Sequence, residues 1–383
     1  MSQFKFAFSG PIICGKNSAL SAASELGALG ARRPLVITGY QIEEAGLLEP
    51  IRASLKKAGF GSALFQRGQV NPADVDVVAG TEQYLEAGCD SIIAVGGGSR
   101  MDLAKAIRLM VSQSGELQDY YFDTGGASLI KPSAFPLICI PTTAGSGSEV
   151  SRGAVITDTK QRRKRLLAGP GMMASLAILD PQLSVSLSPR LTAETGMDAF
   201  SHALESYVGT NFNPFAEGLS YQATKIIYKY LPRAVKDGSD LESRTQMLMG
   251  SAMGALSFAK GLGVVHSLAH QLLNISHGLA VAILLPHGLE FNLGEVGGAY
   301  ADLAVAVGGV RNKGGGIEGA QEVIEMTRLY SRQFDLPERL SEVGVEAEDI
   351  PRMAAGAMLD HCHLTNPRPC SEDDMREILE RAF

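Results

Sequence analysis

Three of the seven histidines in this 383-residue chain fall within twelve positions of one another, in GLGVVHSLAHQLLNISHGLA: His266, His270 and His277. His266 and His270 stand four residues apart, so a helix would carry both on one face. A second pair with the same spacing, Asp198 and His202, lies in TGMDAFSHALES. A carboxylate and imidazoles converging from two helices make a mixed oxygen and nitrogen site suited to a divalent metal. Pairs at this spacing also decorate solvated helix faces. Here both sit among Gly, Ala and Leu, which favours a lined cavity over an exposed surface.

Two further stretches suit a phosphorylated ligand. GGGS at 96–99 follows an apolar run and precedes MDLAKAIRLM, and PTTAGSGSE at 141–149 follows FPLICI. Glycine lets backbone approach a ligand closely, and the first amides of a helix favour an anion such as a pyrophosphate. Neither loop is G-x-G-x-x-G, so the ordinary dinucleotide fingerprint is absent. Each alone could be a tight turn. Two loops at strand ends match the place where open α/β sheets bind ligands.

These groups need elements to hold them. PLVITG (34–39), GSALFQ (61–66), SIIAVGGGS (91–99) and FPLICIP (135–141) read as buried strands. AVITD (154–158) and LAILDP (176–181) extend the series. Between the first three lie an amphipathic helix through EEAGLLEPIRASLKKAG, ending at Gly59, and a helix from about Asp74 to Ala87. Such alternation predicts a parallel sheet covered on both faces. After residue 183 the texture becomes helical, beginning with Ser188 as N-cap and Pro189 at the first helical position. The expected plan is an α/β domain over 1–183 and an all-helical domain over 184–383, with the crevice between them as the default site.

Composition narrows the class. A hydrophobic fraction of 45% with 20% charged residues is ordinary for a globular protein, and a net charge of −7 offers no basic footprint for nucleic acid or anionic membrane. Five cysteines without a C-x-x-C pair indicate no disulfide framework and suit a reducing cytoplasm. MSQFKFAFSG lacks the pattern of a secretory signal, and no apolar run approaches the ~20 residues of a membrane span.

The order of GGGSRMDLAK, PTTAGSGSEVSRGAVITD, LAILDP, TGMDAFSHALESYV, GLGVVHSLAHQL, HGLAVAILLPH and NPRPCSEDD resembles the iron-containing (group III) alcohol dehydrogenases, from about residue 34 to the C-terminus. The resemblance implies a dinucleotide-binding α/β domain, a helical metal domain, and a catalytic Fe²⁺, with Zn²⁺ as the alternative. It implies metal ligands Asp198, His202, His266 and His277, with His270 beside the substrate as the catalytic proton relay. For NAD or NADP it implies Asn71, Gly97, Gly98, Ser99, Thr142, Thr143, Ser151, Lys164 and Leu183, with Gly39 at the end of the first strand. Met101, Asp102 and Lys105 also match the family pattern, and Asp102 is taken with the cofactor set. The implied reaction moves a hydride between the nicotinamide and a small alcohol or aldehyde whose oxygen the metal polarises. A homodimer is compatible with this plan. Neither nucleic acid nor membrane is an expected partner.

Two departures matter. Many members carry Asp where this chain has Gly39; that carboxylate bonds the adenosine 2′-OH and repels a 2′-phosphate, so its absence leaves NADP open. The link between His270 and His277 is also shorter than the family usually has. An unbroken helix would set His266 and His277 about 16 Å apart along its axis, at 1.5 Å per residue. Metal–nitrogen bonds are only about 2.1 Å. The chain must therefore leave the helix soon after His270, and Asn274, Ser276 and Gly278 supply break points. His287, read as a turn and strand further on, is the nearest substitute ligand, while His287, His361 and His363 carry no assigned role. Two other readings stand beside the dehydrogenase: a lyase like dehydroquinate synthase, and a non-catalytic metal- or nucleotide-binding protein.

Overall fold

A computed structural model describes residue 4, residue 6, and residues 10–67, 71–308 and 317–383. The N-terminal stretch in which no signal sequence was read lies largely outside these residues. The chain divides into two compact units, one of Phe8–Thr143 with Gly147–Ser186, the other of Leu187–Phe383 with Ala144–Ser146. The division thus falls three residues beyond the boundary read from sequence, and it assigns part of the small-residue loop to the helical unit.

The first unit contains strands β1 (Ile12–Cys14), β2 (Pro34–Ile37), β3 (Ala63–Phe65), β4 (Ser91–Gly96), β5 (Leu137–Pro141), β6 (Gly153–Asp158), β7 (Arg163–Ala168) and β8 (Leu176–Leu179). Its helices are α1 (Ala22–Ala28), α2 (Tyr40–Glu44), α3 (Glu49–Lys57), α4 (Asp74–Glu86) and α5 (Gly98–Ser112). The main sheet is parallel, in the order β1-β8-β5-β4-β2-β3. Both of its faces are buried, and the side chains alternate between them. Leu35, Ile37, Ile92 and Ala94 pack into one core, whereas Val36, Ile93, Val95, Ile138 and Ile140 pack into the other. That is why these strands read as continuous apolar runs. The chain leaves β2 toward β3 on one side and returns to β4 on the other. The C-terminal ends of β2 and β4 are therefore the topological switch point, where open α/β sheets take ligands.

Three readings need correction here. The helix expected across 43–59 is two helices, because Gly46 adopts φ +70° and Pro50 opens the second. AVITD does not join the main sheet; β6 pairs antiparallel with β7, whose sequence RKRLLA hides a strand under charge. The sheet also has an edge strand, β1, that the expected series of strands lacks.

The helical unit comprises α6 (Pro189–Val208), α7 (Pro214–Lys236), α8 (Leu241–Leu256), α9 (Val264–Ala269), α10 (His277–Ala306), α11 (Ile317–Gln333), α12 (Ile350–Ala357) and α13 (Glu372–Ala382). Ser188 caps α6 by accepting from Leu191 N, with Pro189 at the first turn as expected. The stretch HGLAVAILLPH is not a strand. It opens α10, which is buried on nearly every side over Gly278–Leu289, and a helix buried all round shows no polar face by which to recognise it. This helix is long and apolar enough to cross a membrane by length and composition, yet 61% of its most apolar window is buried inside the protein. It is the core helix of its unit.

Candidate metal centre and dinucleotide site

The helical unit brings four of the sequence-read residues together. Asp198 and His202 project from one face of α6, and His202 Nε2 lies 3.5 Å from Asp198 Oδ1. His266 Nε2 and His277 Nε2 each lie 3.7 Å from the same oxygen. Ligands bound tetrahedrally at about 2.1 Å would stand about 3.4 Å apart, so this spacing suits one ion. Asp198 Oδ1 and His266 Nε2 are buried and have no hydrogen-bond partner among the described residues. Buried polar atoms are rarely left so, and a cation between them would satisfy both. The donor set is hard oxygen with imidazole nitrogen, which fits Fe²⁺ or Zn²⁺.

His277 reaches the cluster because the chain turns early. Helix α9 ends at Ala269, His270 is its C-cap, and α10 begins at His277 behind the N-cap Ser276. The expected break after His270 is present. The His277 ring stacks on His270 at 5.3 Å and meets His266 edge-on at 5.5 Å. Asp198, His202 and His266 are the three of this cluster whose ligand atoms group mutually among the described residues; His277 approaches them through Asp198 Oδ1 alone, and His287 is not among them.

Glu205 is a functional residue the sequence reading missed. It lies seven residues after Asp198 on α6 and is 3% exposed. Its Oε1 accepts from Val265 N at 2.9 Å, and its Oε2 takes a short hydrogen bond from His266 Nδ1. This fixes the His266 tautomer and turns Nε2 toward Asp198. Asn366 Oδ1 accepts from Val264 N at 3.2 Å, so two remote side chains cap α9. Gly263 is required between them, since a Cβ there would stand 2.5 Å from Asn366 Oδ1 and 2.7 Å from Glu205 Oε1. The spacing of Asp198, His202 and Glu205 at i, i+4 and i+7 was the available signal.

Without a cation the cluster distributes protons unevenly. Burial pushes His202 down to about 4, more than Asp198 restores. Burial also opposes a charge on His266, but Glu205 and Asp198 outweigh it and raise that ring to about 9. Burial would raise Asp198 too, yet the neighbouring imidazoles hold it well below the usual carboxylate range. The carboxylates thus favour one positive charge in the cluster, on His266, while His202 stays neutral.

Beside the cluster, His270 Nδ1 pairs with Asp360 Oδ2 at 2.8 Å. Burial would raise Asp360, but His270 holds it well below the carboxylate range. The ionised carboxylate accepts, so Nδ1 donates and His270 Nε2 is left as the basic nitrogen. Asp360 also accepts from Ser267 Oγ at 2.9 Å and from Cys362 N at 2.8 Å, which locks its position. It is ninety residues from His270 in sequence, and no pattern pointed to it.

In the α/β unit, β4 runs out through Gly96, with φ +153°, into Gly97 as N-cap of α5 and then Gly98 and Ser99. A glycine cap offers the first amides of the helix no side-chain acceptor of its own, which suits a phosphate site. A Cβ on Gly97 would stand 3.3 Å from Thr143 Oγ1, so the two loops touch. Thr142 N donates to Gly96 O at 3.0 Å and ties them together. Asn71 precedes Pro72, whose carbonyl accepts from Thr157 N at 2.8 Å, and Thr157 pairs across the hairpin with Lys164. Leu183 is 6% exposed and belongs to the core under β2 and β4.

Asp102, Lys105 and Ser151 act inward. Asp102 accepts from Ser148 Oγ at 2.6 Å and from Val155 N at 2.9 Å. The Lys105 ammonium, fully buried, donates to Ser148 Oγ, Ser151 Oγ and Ser151 O at 3.0 Å each and to Gly153 O at 2.7 Å. Burial pushes its pKa down, against the pull of Asp102. This knot fastens α5 to the second loop and to β6. Lys105→Met is expected to leave Ser151 O and Gly153 O without their shared donor and Asp102 without the positive charge that acts on it most, at a cost of about 3–5 kcal/mol. At about 2–4 °C per kcal/mol, the thermal midpoint should fall by roughly 10 °C. An unchanged midpoint would mean that the knot is not a structural tie.

Comparison with known proteins adds the family. Residues 9–181 match the model of iron-containing alcohol dehydrogenase, and residues 192–383 match that of the C-terminal part of the same family. The chain is 37% identical over 368 residues to 4-hydroxybutyrate dehydrogenase of Cupriavidus necator, covering 94% of each. It is 33% identical over 375 residues to NAD-dependent methanol dehydrogenase of Bacillus methanolicus, covering 97% of each. A solved 1,3-propanediol oxidoreductase superposes with a TM-score of 0.95 at 32% identity over the whole of both chains. Nothing in these relatives supports the lyase alternative. The chain belongs to the iron-containing alcohol dehydrogenase family and is an oxidoreductase acting on CH–OH groups.

Proposed function

We propose that Asp198, His202, His266 and His277 hold one divalent ion, Fe²⁺ or Zn²⁺, with which the protein oxidises small primary alcohols or reduces the matching aldehydes using NAD(P). The observation that carries this reading is the set of three Nε2 atoms lying 3.5–3.7 Å from one buried carboxylate oxygen. When bound, the metal supplies Lewis acidity to the substrate oxygen and the nicotinamide accepts or returns the hydride.

The protein's own groups do the rest. Glu205 holds His266 in the tautomer that offers Nε2, and Asp360 holds His270 with its basic Nε2 outward. In alcohol oxidation His270 takes the hydroxyl proton while the hydride leaves carbon, so the two hydrogens depart to different acceptors. The backbone of 96–99, Thr142, Thr143, Asn71 and Lys164 would orient the dinucleotide, with Ser151, Asp102 and Leu183 shaping the walls behind them. The free thiols of all five cysteines fit the reducing cytoplasm expected for such an enzyme.

The test combines metal analysis with a substrate panel. Protein purified with Fe²⁺ should carry one ion per chain and release NAD(P)H on addition of C2–C4 alcohols or diols. Dialysis against chelator should abolish turnover, and Fe²⁺ or Zn²⁺ should restore it. Stoichiometric metal with no turnover on any alcohol or aldehyde would instead favour a binding protein.

A further inference from the structure

A second group of metal-capable side chains lies beside the first. One ligand atom each of His270, Asp360 and Cys362 falls within 4.8 Å of the other two. Asp360 and Cys362 come from the short loop after α12, and His270 from the C-terminal cap of α9. Two donors, Ser267 Oγ and Cys362 N, fix Asp360 Oδ1, and Oδ2 meets His270 Nδ1 at 2.8 Å. Ser267 is fixed in turn, its Oγ accepting from His363 N at 2.8 Å. Cys362 is a free thiol, 3% exposed, and its Sγ stands 3.7 Å from His361 Nε2. In a tetrahedral zinc site, sulfur bound at about 2.3 Å and nitrogen at about 2.1 Å stand about 3.6 Å apart. His361 Nδ1 is also 3.9 Å from Asp360 Oδ1. A thiol, imidazole and a carboxylate together favour a thiophilic cation, whereas the Asp198 cluster offers no sulfur.

We propose that His270, Asp360 and Cys362 form a second metal site, inhibitory rather than catalytic, for a thiophilic divalent ion such as Zn²⁺ or Cd²⁺. The inference rests on the reading that the Asp198 cluster holds the catalytic ion and that His270 is the base. Burial and the Asp360 carboxylate keep the Cys362 thiol protonated, so the ion must displace its proton. A coordinated thiol gives up that proton outright, here to solvent as Sγ binds the ion. His270 gives Nδ1 to the ion, and its own proton passes from Nδ1 to Nε2. The nitrogen that would accept the alcohol proton then already carries one, and the relay is blocked. The 2.8 Å contact between Nδ1 and Asp360 Oδ2 opens to about 3.4 Å as the ion replaces the hydrogen bond. His270 is therefore a base when Asp360 alone holds it, and no longer one when a cation sits between them.

The test loads the enzyme with one Zn²⁺ per chain, to fill the Asp198 cluster, and then titrates it with Co²⁺ or with further Zn²⁺. Co²⁺ should add a near-ultraviolet thiolate-to-cobalt charge-transfer band, which a cluster without sulfur cannot produce. Elemental analysis should count a second Zn²⁺, and turnover should fall by at least about tenfold as it binds. Cys362→Ser should lose the band, bind the second ion at least about tenfold more weakly and resist the added Zn²⁺. Each protein's turnover before the addition is its own reference, and circular dichroism confirms the fold. The band in the wild type reads the thiolate without any variant, so a Cys362→Ser protein that misfolds does not shield the proposal. Absence of a second ion or of the band in the wild type would overturn it, as would a band that persists in Cys362→Ser. A second ion that leaves turnover unchanged would overturn the inhibitory role. Loss of the first ion, or no turnover on any alcohol before the titration, would instead sink the reading of the Asp198 cluster, while the band still decides the second site.

Discussion

His266→Ala is expected to come off the column with less than about a tenth of the wild-type metal and with alcohol oxidation reduced by about 10³-fold, a loss of roughly 4 kcal/mol in transition-state stabilisation. The size follows from two losses at once. The ion loses an imidazole from a set already grouped around a single carboxylate oxygen. Glu205 loses the partner of its Oε2 while remaining 3% exposed, with Val265 N still on its Oε1. A stranded buried carboxylate destabilises the fold as well as the site. His202→Ala is therefore the companion variant. It removes a candidate ligand whose ring stacks on His266 at 4.7 Å and meets Phe258 edge-on at 4.7 Å, and it leaves Asp198 with His266 and His277 still beside it. Metal content by elemental analysis, turnover, and circular dichroism are read on both. Full activity in a folded, metal-free His266→Ala protein would end the assignment.

The parts of this architecture that repeat with a period were open to reading from sequence. The apolar runs of β2, β4 and β5 reflect burial on both faces, and Ser188-Pro189 marks the start of α6 by its capping chemistry. Asp198 and His202 stood out because a polar pair on an otherwise buried helix face demands a partner. What could not be read depends on contacts between residues distant in the chain. Asp360 meets His270 across ninety residues, and Arg100 meets the Gly39 position only because β2 and β4 pair. Local signals also misled. The aliphatic run at the start of α10 has strand-like composition, yet it is helical because other elements surround it on every side. In β7, Arg163, Lys164 and Arg165 masked a strand whose pairing with β6, rather than its own burial pattern, defines it. Arg165 is nevertheless buried, stacked over Tyr121 at 4.2 Å and paired with Asp123, which no charge-based reading would expect.

His277→Ala should weaken metal binding by at least about tenfold to a hundredfold, whereas His287→Ala should leave it unchanged. The short connection after His270 is what makes this a sharp test. Residues 271–275 form a tight turn, and Ser276 then does two jobs. Its Oγ accepts from Leu279 N at 3.3 Å, capping α10, and donates to Glu194 Oε2 on α6 at 2.6 Å. Gly278 brings the first turn of α10 onto the α6 backbone, since a Cβ there would come within 2.2 Å of Glu194 O. His277 is held between these two contacts, and its Nε2 lies 3.7 Å from Asp198 Oδ1. Ser276→Ala probes this directly. It removes a cap worth about 1 kcal/mol and the tie to Glu194, so metal affinity should fall although every ligand is retained. Titration of Zn²⁺ into the metal-free proteins, monitored by calorimetry, gives all three affinities. Wild-type affinity in His277→Ala would remove this residue from the ligand set, and a loss confined to His287→Ala would place the fourth ligand ten residues further along α10.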